Sequence, residues 1–594
     1  MNPLPCAPTL AVCFAFMSIF GAALAQDRRT TVEDAHRATA FVHVNVVPMD
    51  RERIVGDQTV IVRDGRIAEM GAADGIEVPK DARSIDGRGQ YLMPGLADMH
   101  AHLYTPQEFP LYLAHGVTTV FNLWGKPAHL MWREKIARGE WLGPTIHTCG
   151  PIIFRAETAD EARRIVEAQS KAGYDSIKIY NDVSKAAYPV LIETARRSKM
   201  LVVGHIPRAV GLEGVLEARQ PIAHAEEFIY TFFDWNVEDE GRIPAAVAAT
   251  REANVPVTLT LVFYDHMLRQ AGDLTTFLAR PEMKYLAPWA RVLWGPGLNR
   301  YNPANSSPAS LRWAEKSLAF QKTLARSLHQ AGVKILAGTD AMTPGAVPGF
   351  SLHEELGIMA GLGFTPFEAI ETATRNAAEF LSPGKDFGTV AVGQRADLIL
   401  LKENPLADLA NLQHRAGVMV HGDWRTEVQF QEMLDDVPAA YARAEQTVQP
   451  LLAGDPARLL GYIDESDPFA YVALAAVANR IAEQGAAQFS EFFREIYARR
   501  PDAELSAEIN VSALAHRMFQ LKKSGEAIAL LVMNAEAHPK SAPAHARLAA
   551  AYRANGDKAL AVESCRKALA IDPQLAGATE MLEQLSRPDA ALPK

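Results

Sequence analysis

Cysteine is scarce: the 594-residue chain has four. Two of these, Cys6 and Cys13, sit in an apolar N-terminal stretch, leaving Cys149 and Cys565 in segments that read as different domains. A disulfide between that pair is open but not indicated, so the chain must be held together by its cores. Basic runs are also missing. With a net charge of −10 and no block of lysines and arginines, nucleic acid is excluded as the main partner. After residue 25 no apolar run is long enough to cross a bilayer, which excludes an integral membrane segment in the mature chain. No Gly-x-Gly-x-x-Gly turn is present, which leaves a doubly wound dinucleotide-type sheet without support.

What remains is ordinary globular composition, 48% hydrophobic and 22% charged, at a length that suggests three or four domains. Residues 1–25 read as a secretory signal. Positions 10–24 are almost wholly apolar, and Ala23-Leu24-Ala25 is a small-x-small cleavage site before Gln26. Only the amino terminus supplies positive charge ahead of that run. An uncleaved anchor is the rival reading, but the run is short for one. Lipoprotein processing is disfavoured because Val12 precedes Cys13. The expected location is periplasmic or secreted.

From residue 40 to 85 the pattern is β. Phe41–Val47 alternates, and residues 58–63 and 66–70 flank Asp64-Gly65, a strong hairpin turn. A second β segment comprises residues 388–392, 396–401 and 417–422. Two such segments around a long α/β region predict one small β-sandwich built from both flanks, residues 26–95 and 385–428. Between them, residues 96–384 alternate short apolar runs (118–121, 176–180, 201–204, 257–262, 334–337) with amphipathic stretches such as 159–171 and 311–330. That alternation predicts a parallel sheet with helices outside, and the length favours an α/β fold of the (β/α)8 barrel type. Residues 263–310 lack periodicity and are rich in Pro, Gly and Asn; they read as a covering loop, with a peripheral insertion as the alternative. Residues 429–594 read as an all-α domain. Leu514-Ala515 and Leu548-Ala549 are 34 apart, as are Ala527 and Ala561, and Pro539 and Pro573. That period, with Tyr552, Gly556 and Ala568, resembles the tetratricopeptide repeat. It suggests a homo-oligomer or protein partner, or simple packing.

The chemistry centres on Pro94-Gly95-Leu96-Ala97-Asp98-Met99-His100-Ala101-His102, which follows the apolar run Tyr91-Leu92-Met93. In a strand, residues i and i+2 share a face, so His100 and His102 can converge on one point at its end. Alone they read equally as surface histidines in a turn. Four partners stand at or beside the ends of later strand-like runs: Lys178, His205, His224 and Asp340. Each has a structural reading of its own, as a packed histidine or a helix cap. Together they are harder to dismiss. Lys178, His205 and His224 follow one another by 27 and 19 residues, about one β-α step each, which could bring all of them to the C-terminal rim of a barrel. Four imidazoles and a carboxylate suit zinc or a similar divalent ion. A buried lysine among them would lose basicity, and its free amine could add CO₂ to form a carbamate that bridges two metals.

With these residues the chain resembles the amidohydrolase superfamily, in its imidazolonepropionase-like and prolidase-like branch, over roughly residues 38–428. The resemblance also rests on Ala223-His224-Ala225-Glu226, Gly338-Thr339-Asp340, Leu352-His353-Glu354-Glu355-Leu356, residues 372–378 and Gly393-Gln394-Arg395-Ala396-Asp397-Leu398. It implies two divalent metal ions, zinc first, one held by His100, His102 and Asp340 and the other by His205 and His224. A CO₂-derived carbamate on Lys178 would bridge them. Asp340 would serve as the proton-transfer group, and Tyr230 would help polarise the substrate carbonyl, with packing as its alternative role. His147 is a candidate contact for a substrate carboxylate, again with packing as the alternative. The implied reaction is hydrolysis of an amide C–N bond in a small molecule, a dipeptide or N-acyl amino acid. A cyclic amide, imidazolone or lactone is the alternative substrate. A reading of another class makes the barrel a scaffold and the helical tail a binding module.

Overall fold

A computed structural model describes residues 38–296, 299, 301–302, 308–381, 386–452, 477–478, 480–499, 508–573, 575 and 577–586. Residues 1–25, expected as a secretory signal, lie outside the described residues. The chain divides into two compact units, one of Met1–Met267 with Arg312–Val437 and one of Leu268–Leu311 with Pro438–Lys594.

The first unit opens with Thr39–Val46 (β1), Val55–Arg63 (β2), Arg66–Ala72 (β3), Arg83–Asp86 (β4) and Tyr91–Pro94 (β5). Asp64 and Gly65 join β2 to β3 with φ of 50° and 73°, the left-handed pair that a two-residue hairpin of matching twist requires. Nine short strands follow: Leu96–Ala101 (β6), Val117–Asn122 (β7), Thr145–Thr148 (β8), Ile153–Ala156 (β9), Ser176–Val183 (β10), Leu201–Gly204 (β11), Ile222–Ala223 (β12), Val257–Thr258 (β13) and Ile335–Leu336 (β14). Leu398–Leu401 (β15), Arg415–Val420 (β16) and Asp423–Thr426 (β17) then return to the first sheet.

That first sheet has the order β17-β16-β15-β5-β1-β2-β3, with β4 on β1. It joins both flanks of the chain as one curved eight-stranded sheet, not as two facing sheets. Register shifts within β1 bend it, since an extra residue on one strand increases local twist. Phe41 of β1 meets Trp424 of β17 edge-on at 5.2 Å, so the sheet curls over its own core of Val44, Val60, Leu92, Leu398 and Met419. Residues 388–392, expected as a strand, form none. Gly388 takes φ of 83°, while Val390 still enters that core and donates its N–H to the carbonyl of Pro48 at 3.0 Å.

The central region has the parallel strands of a barrel in two sheets, β6-β7-β8 and β14-β13-β12-β11-β10-β9. Among the described residues no continuous ladder closes them. Isolated bridges, Ala101 to Ala341 and Cys149 to Ser176, span the two seams. The expected strand over 257–262 stops at Thr258, and a helix begins at Leu261. The reason is local: His224, Thr260 and Asp340, just past β12, β13 and β14, hold φ of 77°, 52° and 57°. Non-glycine residues in that region interrupt a ladder and are held there by their surroundings. Of the outer helices, Ala159–Ala172 is capped by Thr158, whose side chain accepts from the Glu161 N–H, and ends on left-handed Gly173.

In the second unit, residues 268–311 include the helices Leu274–Leu278 and Pro288–Trp294, where the sequence suggested a loop. Buried polar groups replace apolar periodicity there. The Asn299 side chain donates to Gln270 Oε1 at 2.7 Å and to the Trp294 carbonyl at 2.9 Å. The tail contains helices Glu508–Gln520, Ser524–Ala537, Ala542–Asn555 and Lys558–Ile571. The second pair starts 34 residues after the first at both helices. Leu514, Ala515, Ala527, Leu548, Ala549 and Ala561 are all buried. The first unit ends at Val437, and Phe430, Leu434 and Val437 are buried at helical spacing.

The first unit carries an acid-sensitive buried histidine. His129 Nε2 donates to the Leu103 carbonyl at 2.9 Å, while its Nδ1 accepts from Lys126 N–H and Asn122 Nδ2, each at 3.0 Å. Burial, with the Lys126 charge, pushes the ring down to about 3 from its usual 6.5. The folded state therefore favours the neutral ring. Its contribution is complete above pH 6.5 and is lost as pH falls toward 3, at up to about 1.4 kcal/mol per pH unit. Urea midpoints measured from pH 7 to pH 4 are expected to fall, and to fall less steeply in His129→Gln.

Candidate metal centre

Strand alternation and two glycines bring the six candidate ligands together. Lys178 on β10 sits beside Val203 of β11 in parallel register. A Cβ on Gly204 would lie 2.3 Å from the Ile179 carbonyl oxygen and 3.1 Å from Lys178 Cδ. Glycine there is what lets His205 follow directly above the lysine. A Cβ on Gly338 would lie 2.6 Å from Thr258 Cγ2 and 2.8 Å from His100 Cβ, so the chain leading to Asp340 packs directly on the His100 backbone.

The resulting geometry is compact. Asp340 Oδ1 lies 2.8 Å from His102 Nε2 and 3.2 Å from His100 Nε2. Lys178 Nζ is 3.5 Å from His100 Nε2. The His224 ring centroid is 4.4 Å from that of His100 and 4.9 Å from that of His205. One ligand atom from each of His100, His224 and Asp340 falls within 4.8 Å of the others. Except for half-buried His102, all six residues are buried.

Burial sets the charges. It drives the His100 ring down to about 3, helped by the Lys178 ammonium and opposed by Asp340. Burial also lowers His205, against the pull of Glu227, and lowers His224 well below its usual value. Lys178 is brought down to about 8 by burial, although Asp340 and other acids oppose it. For Asp340, burial acts upward, but the charges and hydrogen bonds of His100 and His102 outweigh it and hold the carboxyl well below its usual range. The site thus offers the neutral imidazoles of His100, His205 and His224 and the ionised carboxylate of Asp340, a donor set that suits a divalent cation. Nδ1 of both His100 and His102 is buried without a hydrogen-bond partner among the described residues. The residues present fit a metal site.

Residues outside the six complete the site. Asp98 is fully buried, and its Oδ1 accepts from the His100 and Thr339 N–H groups at 3.1 Å each. Its Oδ2 accepts from Thr339 Oγ1 at 2.6 Å. Glu227 Oε1 lies 2.6 Å from His205 Nδ1, and Thr260 Oγ1 lies 2.8 Å from His224 Nδ1. Tyr180 stacks on the His205 ring with centroids 3.8 Å apart. The sequence carried a faint signal for each. Asp98 and Glu227 sit inside the motifs that hold the histidines, and Tyr180 is two residues past Lys178 on one face of a strand.

Two further sequence candidates have partners of their own. Tyr230, on helix Glu226–Thr231, shares a hydrogen bond with the Tyr264 hydroxyl at 2.9 Å and stacks on Trp235 at 4.3 Å. Burial and Glu226 keep its hydroxyl protonated. His147 is lowered by burial, and the charges acting on it are those of Asp175, Arg395, Asp386 and Arg133. None of these belongs to the cluster.

A model of the amidohydrolase family matches residues 91–425. The chain belongs to that family. Dihydroorotase from Anaeromyxobacter sp. (strain K) is 44% identical over 62 residues, 10% of this chain. The match spans only 14% of the dihydroorotase's length. Imidazolonepropionase from Deinococcus deserti is 25% identical over 379 residues, covering 60% of this chain and 88% of the relative. Among solved structures, a Xaa-Pro dipeptidase with methionine bound in its active site is 17% identical, with a TM-score of 0.53. That alignment covers 66% of this amidohydrolase and all of the dipeptidase, a likeness of fold alone. The family expected from the motifs is borne out.

Asp98 offers a direct test of how the cluster is held. Asp98→Ala leaves three buried donors without an acceptor, at about 1–3 kcal/mol each before relaxation. A loss of several kcal/mol in urea unfolding is expected, with a smaller loss for Asp98→Asn, which keeps one acceptor oxygen.

Proposed function

We propose that this amidohydrolase is an exported enzyme that hydrolyses an amide C–N bond in a dipeptide or N-acyl amino acid. The observation that carries the reading is the convergence of His100, His102, Lys178, His205, His224 and Asp340 in one buried cluster. His100, His102 and Asp340 would hold one divalent ion, zinc by donor type, and His205 and His224 a second. Such ions, when bound, supply a water of lowered pKa and a polarised carbonyl. Lys178, its ammonium weakened by burial, would add its Nζ lone pair to CO₂, release one proton and become a carbamate, which would supply anionic oxygen donors to the same ions.

The chain's own part in the reaction falls to Asp340. Its carboxylate is ionised, so it can take a proton from the attacking water and pass it to the amide nitrogen as the C–N bond breaks. The water oxygen ends in the acid product and the proton on the departing amine. The protonated Tyr230 hydroxyl is the candidate donor to the carbonyl oxygen. Tyr180 and Phe154, 37% and 52% exposed, pack at 5.2 Å beside His205. They offer an apolar wall for a side chain next to the scissile bond. The relative named imidazolonepropionase supports a C–N target and makes a cyclic amide the second substrate class to test.

The metal-loaded mature protein is expected to cleave dipeptides or N-acyl amino acids. Chelation should abolish turnover and zinc should restore it. Lys178→Ala and Asp340→Asn are each expected to lower kcat/KM by about 10²–10⁴. Full activity in either variant rejects the bridging-lysine mechanism. Turnover of lactones without amide cleavage rejects the peptidase reading.

A further inference from the structure

Glu227 lies outside the candidate ligand set, yet it is among the most deeply buried acids near the cluster, with no exposed surface. It stands on helix Glu226–Thr231, three residues after His224. A carboxylate placed there is costly unless every lone pair is used. Three donors meet it. Oε1 faces His205 Nδ1 at 2.6 Å. Oε2 accepts from the Ile206 N–H and from Asn181 Nδ2, each at 2.9 Å. A carboxylate is an acceptor only, so the His205 contact requires the ring proton to sit on Nδ1.

We infer that Glu227 is a positioning residue that fixes His205 in its Nδ1–H tautomer, leaving Nε2 as the nitrogen with a lone pair for a cation. This rests on reading the cluster as a metal site. His224 is held the same way by a different group. Thr260 Oγ1 donates its one proton to the Leu259 carbonyl at 2.8 Å, so towards His224 Nδ1, at 2.8 Å, it can only accept. His205 and His224 therefore each have their proton placed on Nδ1 before any metal arrives. Among the described residues His100 and His102 lack such a partner, since their Nδ1 atoms are buried without one, and their Nε2 atoms lie against Asp340. The two halves of the centre are thus built differently. One is oriented by the protein, and the other is held only by the aspartate that would itself be a ligand.

Glu227→Gln separates charge and tautomer from shape. The glutamine has the same volume but one acceptor oxygen for three donors. If that oxygen keeps Ile206 and Asn181, its NH₂ turns to His205 Nδ1 and demands a lone pair there, which moves the ring proton to Nε2. The opposite orientation strands two donors instead of satisfying them, so the first is expected.

Two measurements test this in the full mature chain. In metal-free protein labelled with ¹⁵N-histidine, and with His205 assigned by its loss in His205→Asn, wild type should show the Nδ1–H pattern and Glu227→Gln the Nε2–H pattern. An Nε2–H ring in wild type overturns the inference whether or not metal binds. In competition with a chelator, zinc affinity should fall about 10–100-fold in Glu227→Gln, with an unchanged urea midpoint for the metal-free protein. Equal zinc affinity in the two proteins overturns it. A wild type that takes up zinc but cleaves no amide sinks the proposed reaction and leaves this assignment standing.

Discussion

One carboxylate oxygen draws the two ends of the barrel-like region together. Asp340 Oδ1 touches Nε2 of both His100 and His102, residues 238 and more positions earlier in the chain. The backbone closes the same seam, since the Asp340 N–H donates to the His100 carbonyl at 2.8 Å and the Met99 N–H to Ala337 at 2.8 Å. Asp98 adds a second tie through Thr339. The place where the two sheets fail to form a continuous ladder is therefore the place where side chains take over the joining. A closed ladder would demand extended backbone at residue 340. The left-handed conformation found there gives up ladder bonds and aims the carboxylate at the imidazoles instead, a strain that the packed surroundings sustain.

Burial at this seam explains the chemistry that the site can support. An isolated carboxylate in such a place would be neutralised, but two hydrogen-bonded imidazoles keep Asp340 ionised. The His100 ring stays neutral because the same burial opposes its charge. A set of uncharged imidazoles around one fixed negative oxygen is a site that gains by taking up a cation, which compensates the carboxylate charge with no need to ionise that carboxyl first. Lys178 follows the same logic with opposite sign. Its ammonium is disfavoured next to where a cation would sit, and conversion to an anion would turn it from a liability into a ligand.

Much of this was legible in the sequence because its signals are short-ranged. His100 and His102 are two residues apart on a strand, Lys178, His205 and His224 recur about one β-α step apart, and Gly-Thr-Asp ends a strand. Each is a local pattern that the fold brings into register. What could not be read depends on partners distant in sequence or on conformations that composition does not encode. Residues 257–262 are an alternating, β-branched run that reads as a strand, but Thr260 leaves the ladder to reach His224. Residues 388–392 look equally extended, and one left-handed glycine turns them into an irregular segment that still buries Val390. The 268–311 region lacks apolar periodicity because Gln270 and Asn299 hold it through buried hydrogen bonds. Glu227 reads as a helix N-terminal acid next to another acid, and only the position of His205 distinguishes it from Glu226.

The outer residues matter because a metal site is decided by which lone pairs point inward. A histidine in a sequence offers two nitrogens and no indication of which is free. Tautomer choice belongs to whatever sits behind the ring: a carboxylate with no proton to give for His205, and a hydroxyl whose proton is already committed for His224. Neither arrangement can be inferred from ligand spacing, and neither needs the metal to form. The fold therefore presets half of the centre through ordinary hydrogen bonding, before the ion-dependent half is assembled around Asp340. Two tiers of this kind let the buried cluster persist as a hydrogen-bonded network around the ionised Asp340 in the absence of a cation.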